Sequence, residues 1–127
     1  MFLLDTVLKL HKAVIQNYGG ADGIRDADLL DAALKRPFQT FDGLLLYPDA
    51  IDNAAAVMQS IIVNHPFIDG NKRTGVLLGM TLLLTHNIHI TATEDARYDF
   101  VISISKNELS FEDIVSWLRN NSEQPKP

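Results

Sequence analysis

Residues 49–85, DAIDNAAAVMQSIIVNHPFIDGNKRTGVLLGMTLLLT, hold two helical runs joined by a short break. In the first, Ile51, Ala54, Ala55, Met58, Ile61 and Ile62 recur three and four positions apart, which puts them on one side of a helix over about 49–63. Pro48-Asp49 opens it. Asn64 to Gly70 interrupts the pattern with Pro66 and Gly70. The second run starts at Asn71 and continues to about Thr85. Val76, Leu77, Leu78, Met80, Leu82, Leu83 and Leu84 cover most of its circumference, the pattern of a central, buried helix. Gly75 and Gly79 weaken helix propensity but let a neighbouring helix come close.

Outward from this pair, the same periods give further helices. Leu3, Val7, Leu10 and Val14, with the neighbouring row Leu4, Leu8, His11 and Ile15, predict a first helix over about 2–17, ended by Gly19-Gly20. Asp26 is placed to cap a second helix that runs to about Lys35 and turns in Leu29, Leu30, Ala33 and Leu34. Pro37 stops it. Phe38 to Tyr47 reads as a short flap, with Asp42-Gly43 as a type I′ hairpin turn. Asn87 to Thr91 is a connector with brief extended character. Thr93 starts a fifth helix over about 94–105. Ser110 caps a sixth whose apolar face is Phe111, Ile114, Val115 and Leu118, with Trp117 at its edge. The expectation is an all-α domain of about six helices over residues 1–120, followed by a frayed polar tail at 121–127.

Composition narrows the function. The chain has 127 residues, 46% of them apolar, enough for one domain with a real core. It has no cysteine, which excludes disulfides, zinc-thiolate sites and cysteine nucleophiles. A net charge of −5 gives no general attraction for nucleic acid. The start Met1-Phe2-Leu3-Leu4-Asp5 lacks the basic segment of a signal peptide, and Val76 to Thr85 is about half of the ~20 residues that cross a bilayer. The expectation is a cytoplasmic protein that binds neither nucleic acid nor membrane directly.

Chemistry concentrates in His65-Pro66-Phe67-Ile68-Asp69-Gly70-Asn71-Lys72-Arg73-Thr74-Gly75. His65 is a candidate base at neutral pH. Asp69 is a hard oxygen ligand suited to magnesium. Gly70 can take a turn that brings backbone N–H groups near a ligand. Asn71 to Thr74 then form the first turn of a helix, where N–H groups and the positive end of the helix dipole are left facing outward. Two cations, Lys72 and Arg73, are disfavoured there unless an anion joins them or they reach into solvent. By pattern alone, a phosphate site and a buried helix-loop-helix with a core histidine both fit.

HPFIDGNKRTG closely resembles the signature loop of the Fic/Doc (Fido) superfamily. The chain as a whole resembles its death-on-curing, Doc-type branch. Tyr18-Gly19-Gly20, the Gly23-Ile24-Arg25-Asp26 turn, Leu29 to Pro37, Tyr47-Pro48, Asn64 to Thr74 and Trp117-Leu118 carry the likeness. The resemblance implies a compact helical bundle with a central signature loop and a short flap. It implies transfer of part of a nucleoside triphosphate to a protein hydroxyl, with ATP and Mg2+ as cofactors. In the Doc branch the terminal phosphate moves, and the target is a threonine of elongation factor Tu, so that translation is arrested. Carried over by position, His65 takes the proton of the attacking hydroxyl and Asp69 holds the magnesium. Gly70 and Asn71 form the anion hole, Lys72 and Arg73 neutralise phosphate, and Thr74 orders the loop.

Lys72 stands where the AMP-transferring pattern has glycine, and Val76 where it has a second arginine. Both departures match the Doc branch. AMP transfer and a catalytically silent binding protein remain the alternatives. No Ser or Thr followed by Glu in the inhibitory context is recognisable, so the resemblance implies restraint by an antitoxin with a segment that folds on binding. Phe38, Phe41, Leu44 and Tyr47 are candidates for presenting a target segment, or for ordinary core and hinge. Among the other residues, His11 reads as a satisfied core-edge histidine, His86 and His89 as no metal site, and Arg25 as a structural partner of Asp26 or Asp28 or a capping contact.

Overall fold

A computed structural model describes residues 2–123. Among them are six α-helices: α1 (Leu4–Tyr18), α2 (Ala27–Lys35), α3 (Ala50–Asn64), α4 (Asn71–Leu84), α5 (Glu94–Ser105) and α6 (Phe111–Asn120). Their starts follow the capping chemistry of the sequence. Asp26, Asp49, Thr93 and Ser110 each accept a backbone N–H from the first turn with their side chains. Ser110 and Asp113 complete a reciprocal capping box. Gly19, at φ 88°, closes α1.

The central helix is α3, not α4. Ala54, Ala55, Ala56, Val57, Ile61 and Ile62 are all 0% exposed. One face of α3 packs with α5 and α6 through Phe100, Ile104, Ile114 and Leu118. The other joins Val7 of α1, Leu30 and Ala33 of α2, and Phe67. The small side chains at 54–56 let neighbours crowd α3 from every side. Helix α4 buries only the stripe Asn71, Thr74, Gly75, Leu78, Gly79 and Leu83. Leu77 and Leu84 are exposed, and Val76 and Met80 are half-buried along a groove against α5. An apolar circumference here marks a groove wall as well as a core. In α1, likewise, only Val7, His11 and Val14 are buried, while Leu3 and Leu4 face outward.

The flap is a hairpin of β1 (Thr40–Phe41) and β2 (Leu44–Leu45), antiparallel with Thr40 opposite Leu45. Asp42 and Gly43 both have positive φ, 53° and 78°, as a type I′ turn requires. Its base is fixed. Arg36 Nε donates to the Tyr47 hydroxyl at 3.0 Å, and Asn53 Nδ2 donates to the carbonyls of Tyr47 and Pro37 at 2.7 and 2.8 Å. Phe38 packs edge-on to Phe2, and Tyr47 packs against Phe111. Phe41 and Leu44, by contrast, stand at the tip, each 74% exposed. The four flap candidates thus divide into two anchors and two presented side chains.

A second strand pair corrects the reading of the tail. β3 (His89–Ile90) pairs antiparallel with β4 (Ser122–Glu123), and Thr91 N–H donates to Asn121 O at 2.8 Å. Residues 121–123 are therefore held by the backbone of the α4–α5 connector rather than frayed. The rest of the expected tail, 124–127, lies outside the described residues.

The α3–α4 contact rests on Gly75. A Cβ there would stand 2.7 Å from Ile62 Cγ1, and Ile62 is a stiff, fully buried β-branched residue. Overpacking of this kind costs about 1–3 kcal/mol, against a helix-propensity gain of about 1 kcal/mol. Gly75→Ala should lower stability by about 1 kcal/mol in urea unfolding. An unchanged or raised midpoint would show that Gly75 does not set the spacing of these helices.

Candidate active site

The signature loop is the connection between α3 and α4. It begins with His65 as the C-cap of α3, in left-handed backbone conformation at φ 52°, ψ 59°. Such a conformation costs a residue with a Cβ about 1–2 kcal/mol, and the carbonyls at a helix end need donors. Arg25 supplies both remedies. Its Nε donates to His65 O at 2.6 Å and its Nη2 to Asn64 O at 2.7 Å. The backbone N–H groups of Arg25 and Asp26 then donate to Pro66 O, at 2.7 and 3.0 Å. Ile68 N–H returns to Gly23 O at 3.1 Å, and Ile24 bridges Phe67. Arg25 is thus a capping residue for α3, not a partner of Asp26 or Asp28.

Phe67 is the loop's apolar anchor, 0% exposed and stacked on His11 with ring centroids 3.8 Å apart and planes 7° from parallel. Removing such a buried ring costs about 3–5 kcal/mol. Asn71 holds Phe67 by both backbone groups: Oδ1 accepts Phe67 N–H and Nδ2 donates to Phe67 O, each at 3.0 Å. Its side-chain amide is therefore committed to the loop itself. Its backbone N–H, which precedes the helical ladder, is a further donor it can offer an anion.

His65 also uses one ring nitrogen locally. Nδ1 lies 2.9 Å from Val63 O. A carbonyl only accepts, so Nδ1 carries the proton, and in the neutral ring Nε2 is left bare. The side chain is exposed. An exposed histidine with Nδ1 engaged and Nε2 bare is equipped to take a proton.

Asp69 is held at two points. Its carbonyl accepts from His11 Nε2 at 2.7 Å, and its Oδ2 accepts from Ala21 N–H at 2.7 Å. The glycine turn after α1 allows this. A Cβ on Gly20 would stand 3.0 Å from Asp69 Cβ, and one on Gly23 3.0 Å from Ile68 Cδ1. Gly70, at φ 79°, is the N-cap of α4. The first intrahelical bond is Thr74 N–H to Gly70 O, so the N–H groups of Asn71, Lys72 and Arg73 precede the ladder and mark the positive helix end.

Lys72 and Arg73 are exposed beside that helix start. The Arg73 guanidinium lies 3.9 Å over the Tyr18 ring, a cation–π contact at the mouth of the α1–α4–α5 groove. Thr74 is different from its neighbours. It is 0% exposed, and its hydroxyl has no hydrogen-bond partner among the described residues. It lies in the packed face of α4. The readings of Arg25 as a capping contact and of His11 as a satisfied core-edge histidine hold, while their partners in the loop and the part of Ala21 are not visible in local sequence. The glycines at 20 and 23 are the local signal of a close approach there.

A buried, unpaired hydroxyl destabilises by about 1–3 kcal/mol. Thr74→Val should stabilise the protein by about 1 kcal/mol in thermal or urea unfolding. A loss of stability would mean that the hydroxyl has found a partner.

Comparison with known proteins agrees with this geometry. The family model described as Fic/DOC family matches residues 2–83, which include α1, the flap, α3, the signature loop and most of α4. Over 78 residues the chain is 42% identical to the protein named Toxin Doc of Mycolicibacterium smegmatis. The match covers 61% of this chain and 60% of that protein. With its signature loop in place between two helices and the family model spanning more than half its length, the chain belongs to the Fic/DOC family.

Proposed function

We propose that this chain is a Doc-type toxin that transfers the terminal phosphate of ATP to a hydroxyl of a target protein. The observation that carries the reading is the His65 ring, an exposed side chain at the start of the loop that leads into α4, whose Nδ1–H is engaged by Val63 O so that Nε2 is bare. In the proposed step the target oxygen forms a bond to the terminal phosphorus, the bond to the ADP oxygen breaks, and the hydroxyl proton goes to His65 Nε2. Phosphoryl transfer needs positioning and charge neutralisation more than covalent chemistry. The N–H groups of Asn71, Lys72 and Arg73, the helix dipole and the two cations supply them.

Asp69 is the residue that fits a magnesium ion. No group of three or more His, Asp or Glu among the described residues could hold a metal by itself. Magnesium is commonly bound by one or two carboxylates and the substrate's phosphates. With Oδ2 taken by Ala21 N–H, Oδ1 of Asp69 has no hydrogen bond among the described residues. Bound there, the ion would neutralise phosphate charge.

Two features favour phosphate over AMP transfer. Val76 is a half-buried part of an apolar groove wall and offers no cation to clamp a second phosphate. Lys72 adds bulk and charge at the turn where glycine would leave room. The target we propose is a threonine of elongation factor Tu, presented along the flap edge by strand pairing. The cytoplasm is the compartment where that target is met. No helix of the described residues is long and apolar enough to cross a membrane.

ATP labelled separately on the terminal and alpha phosphates tests the reaction. Only the terminal label should reach elongation factor Tu, and the added mass should be one phosphate. An alpha label or an AMP adduct would overturn the reading. His65→Ala should slow transfer by about 10²–10⁴-fold with ATP binding nearly intact, whereas Asp69→Ala should also weaken magnesium-dependent ATP binding. Equal losses of binding would make His65 structural.

The partner we propose is an antitoxin with a segment that folds on binding. The groove between α1, α4 and α5, about 530 Å³, combines Val76, Leu77 and Met80 with three cations, Lys72, Arg73 and Arg97, and one carboxylate, Glu94. An acidic amphipathic helix matches that pairing of apolar floor and net positive rim. Binding should show a clearly negative heat-capacity change and should relieve growth arrest caused by this chain. Arrest by His65→Ala as strong as by the parent would remove toxicity from this site.

A further inference from the structure

We infer that His11 is a positioning residue for Asp69. This rests on the proposed reaction, in which Asp69 serves the phosphates, and is drawn from the contacts between α1 and the signature loop. His11 lies in the buried stripe of α1 between Val7 and Val14, and is 2% exposed. A core position of this kind normally holds an aliphatic side chain, and a buried polar ring must be hydrogen-bonded. The bond it makes is to the signature loop. Nε2 lies 2.7 Å from Asp69 O, and that carbonyl can only accept. Nε2 therefore carries a proton whether the ring is neutral or charged.

The ring is also fixed in plane. Phe67 covers one face at 3.8 Å, and Asp22 Oδ1 lies 3.4 Å from Nδ1 at the far edge. The Nε2–H thus points in one direction, and it meets the peptide group between Asp69 and Gly70. Gly70 packs against the same nitrogen: a Cβ there would stand 3.5 Å from Nε2 and 3.1 Å from Ile15 Cδ1. With its carbonyl held from below by His11 and its carboxylate held from the side by Ala21 N–H, Asp69 has one arrangement. Loss of the lower clamp frees the peptide to rotate. The carboxylate would then leave Ala21, and the first N–H groups of α4 would change direction with it.

The test compares two substitutions of similar length, one with a donor and one without. Gln at this position places an N–H near the place of Nε2; Met fills the space but has no donor. Both lose the ring stacking on Phe67, so a packing role alone would affect them alike. His11→Met should lower kcat/KM for phosphate transfer by about 10- to 100-fold, the usual range for partners that orient a ligating group. His11→Gln should recover most of it. Amide hydrogen exchange at Ala21, whose N–H is held by the Asp69 carboxylate, should be at least about tenfold faster in His11→Met and near the parent rate in His11→Gln. Amides of α3 should be unchanged in both. If Ala21 exchanges equally in the two variants, or if transfer falls equally in both, the positioning role is overturned. If the parent chain transfers no phosphate, the proposed reaction fails, and the exchange comparison still decides whether His11 positions Asp69.

Discussion

The end of α3 leaves carbonyl oxygens with no helical donor, and one short segment supplies donors for those of Asn64, His65 and Pro66. Arg25 takes the carbonyls of Asn64 and His65 with its guanidinium. The backbone of residues 25 and 26 takes Pro66 O, and Gly23 O receives Ile68 N–H. Pro66 is buried, and an unmet polar group in such a position costs about 1–3 kcal/mol, so the turn after α1 supports the turn after α3. The left-handed His65, the depth of Phe67 and the entry angle of α4 all follow from that docking. The glycines at 20 and 23 are needed because the loop lies directly on them.

On this support the polar groups of the loop separate into two kinds. Asn71, His11 and Arg25 spend their hydrogen bonds inward and hold backbone. His65, Lys72 and Arg73 are exposed, and the open N–H groups of α4 add a positive field at the same place. A loop built from rigid inward bonds holds its outward groups without reorganisation, which is the condition for stabilising charge that develops during a reaction. The Arg73–Tyr18 stack ties one of the cations to α1, and so places the charge at the junction of loop and groove.

Much of the fold was legible because its signals are local. Caps at Asp26, Asp49, Thr93 and Ser110, the stop at Pro37 and the Asp42-Gly43 turn each depend on neighbours a few residues away. The centrality of α3 was less legible. Its alanines look weakly hydrophobic, whereas the leucines of α4 look like a core on every side, and a groove wall has the same composition as an interior. The signature loop was visible through residue types and its likeness to a known pattern. Arg25 as a capping contact and His11 as a satisfied histidine were legible in kind, but not the partners they hold, which lie 40 and 58 positions along the chain. Nothing in local spacing connects them. Asn71 adds a part that likeness to a pattern did not show: its side chain holds both backbone groups of Phe67.

The central claim is that the fold itself prepares His65 as a base by engaging Nδ1–H and leaving Nε2 bare. Ring 15N chemical shifts of His65, measured where the imidazole is neutral, test it most directly. The account predicts a protonated Nδ1 and an unprotonated Nε2 in the isolated protein. A ring with its proton on Nε2 would contradict it, since that tautomer could neither donate from Nδ1 to Val63 O nor accept a substrate proton at Nε2.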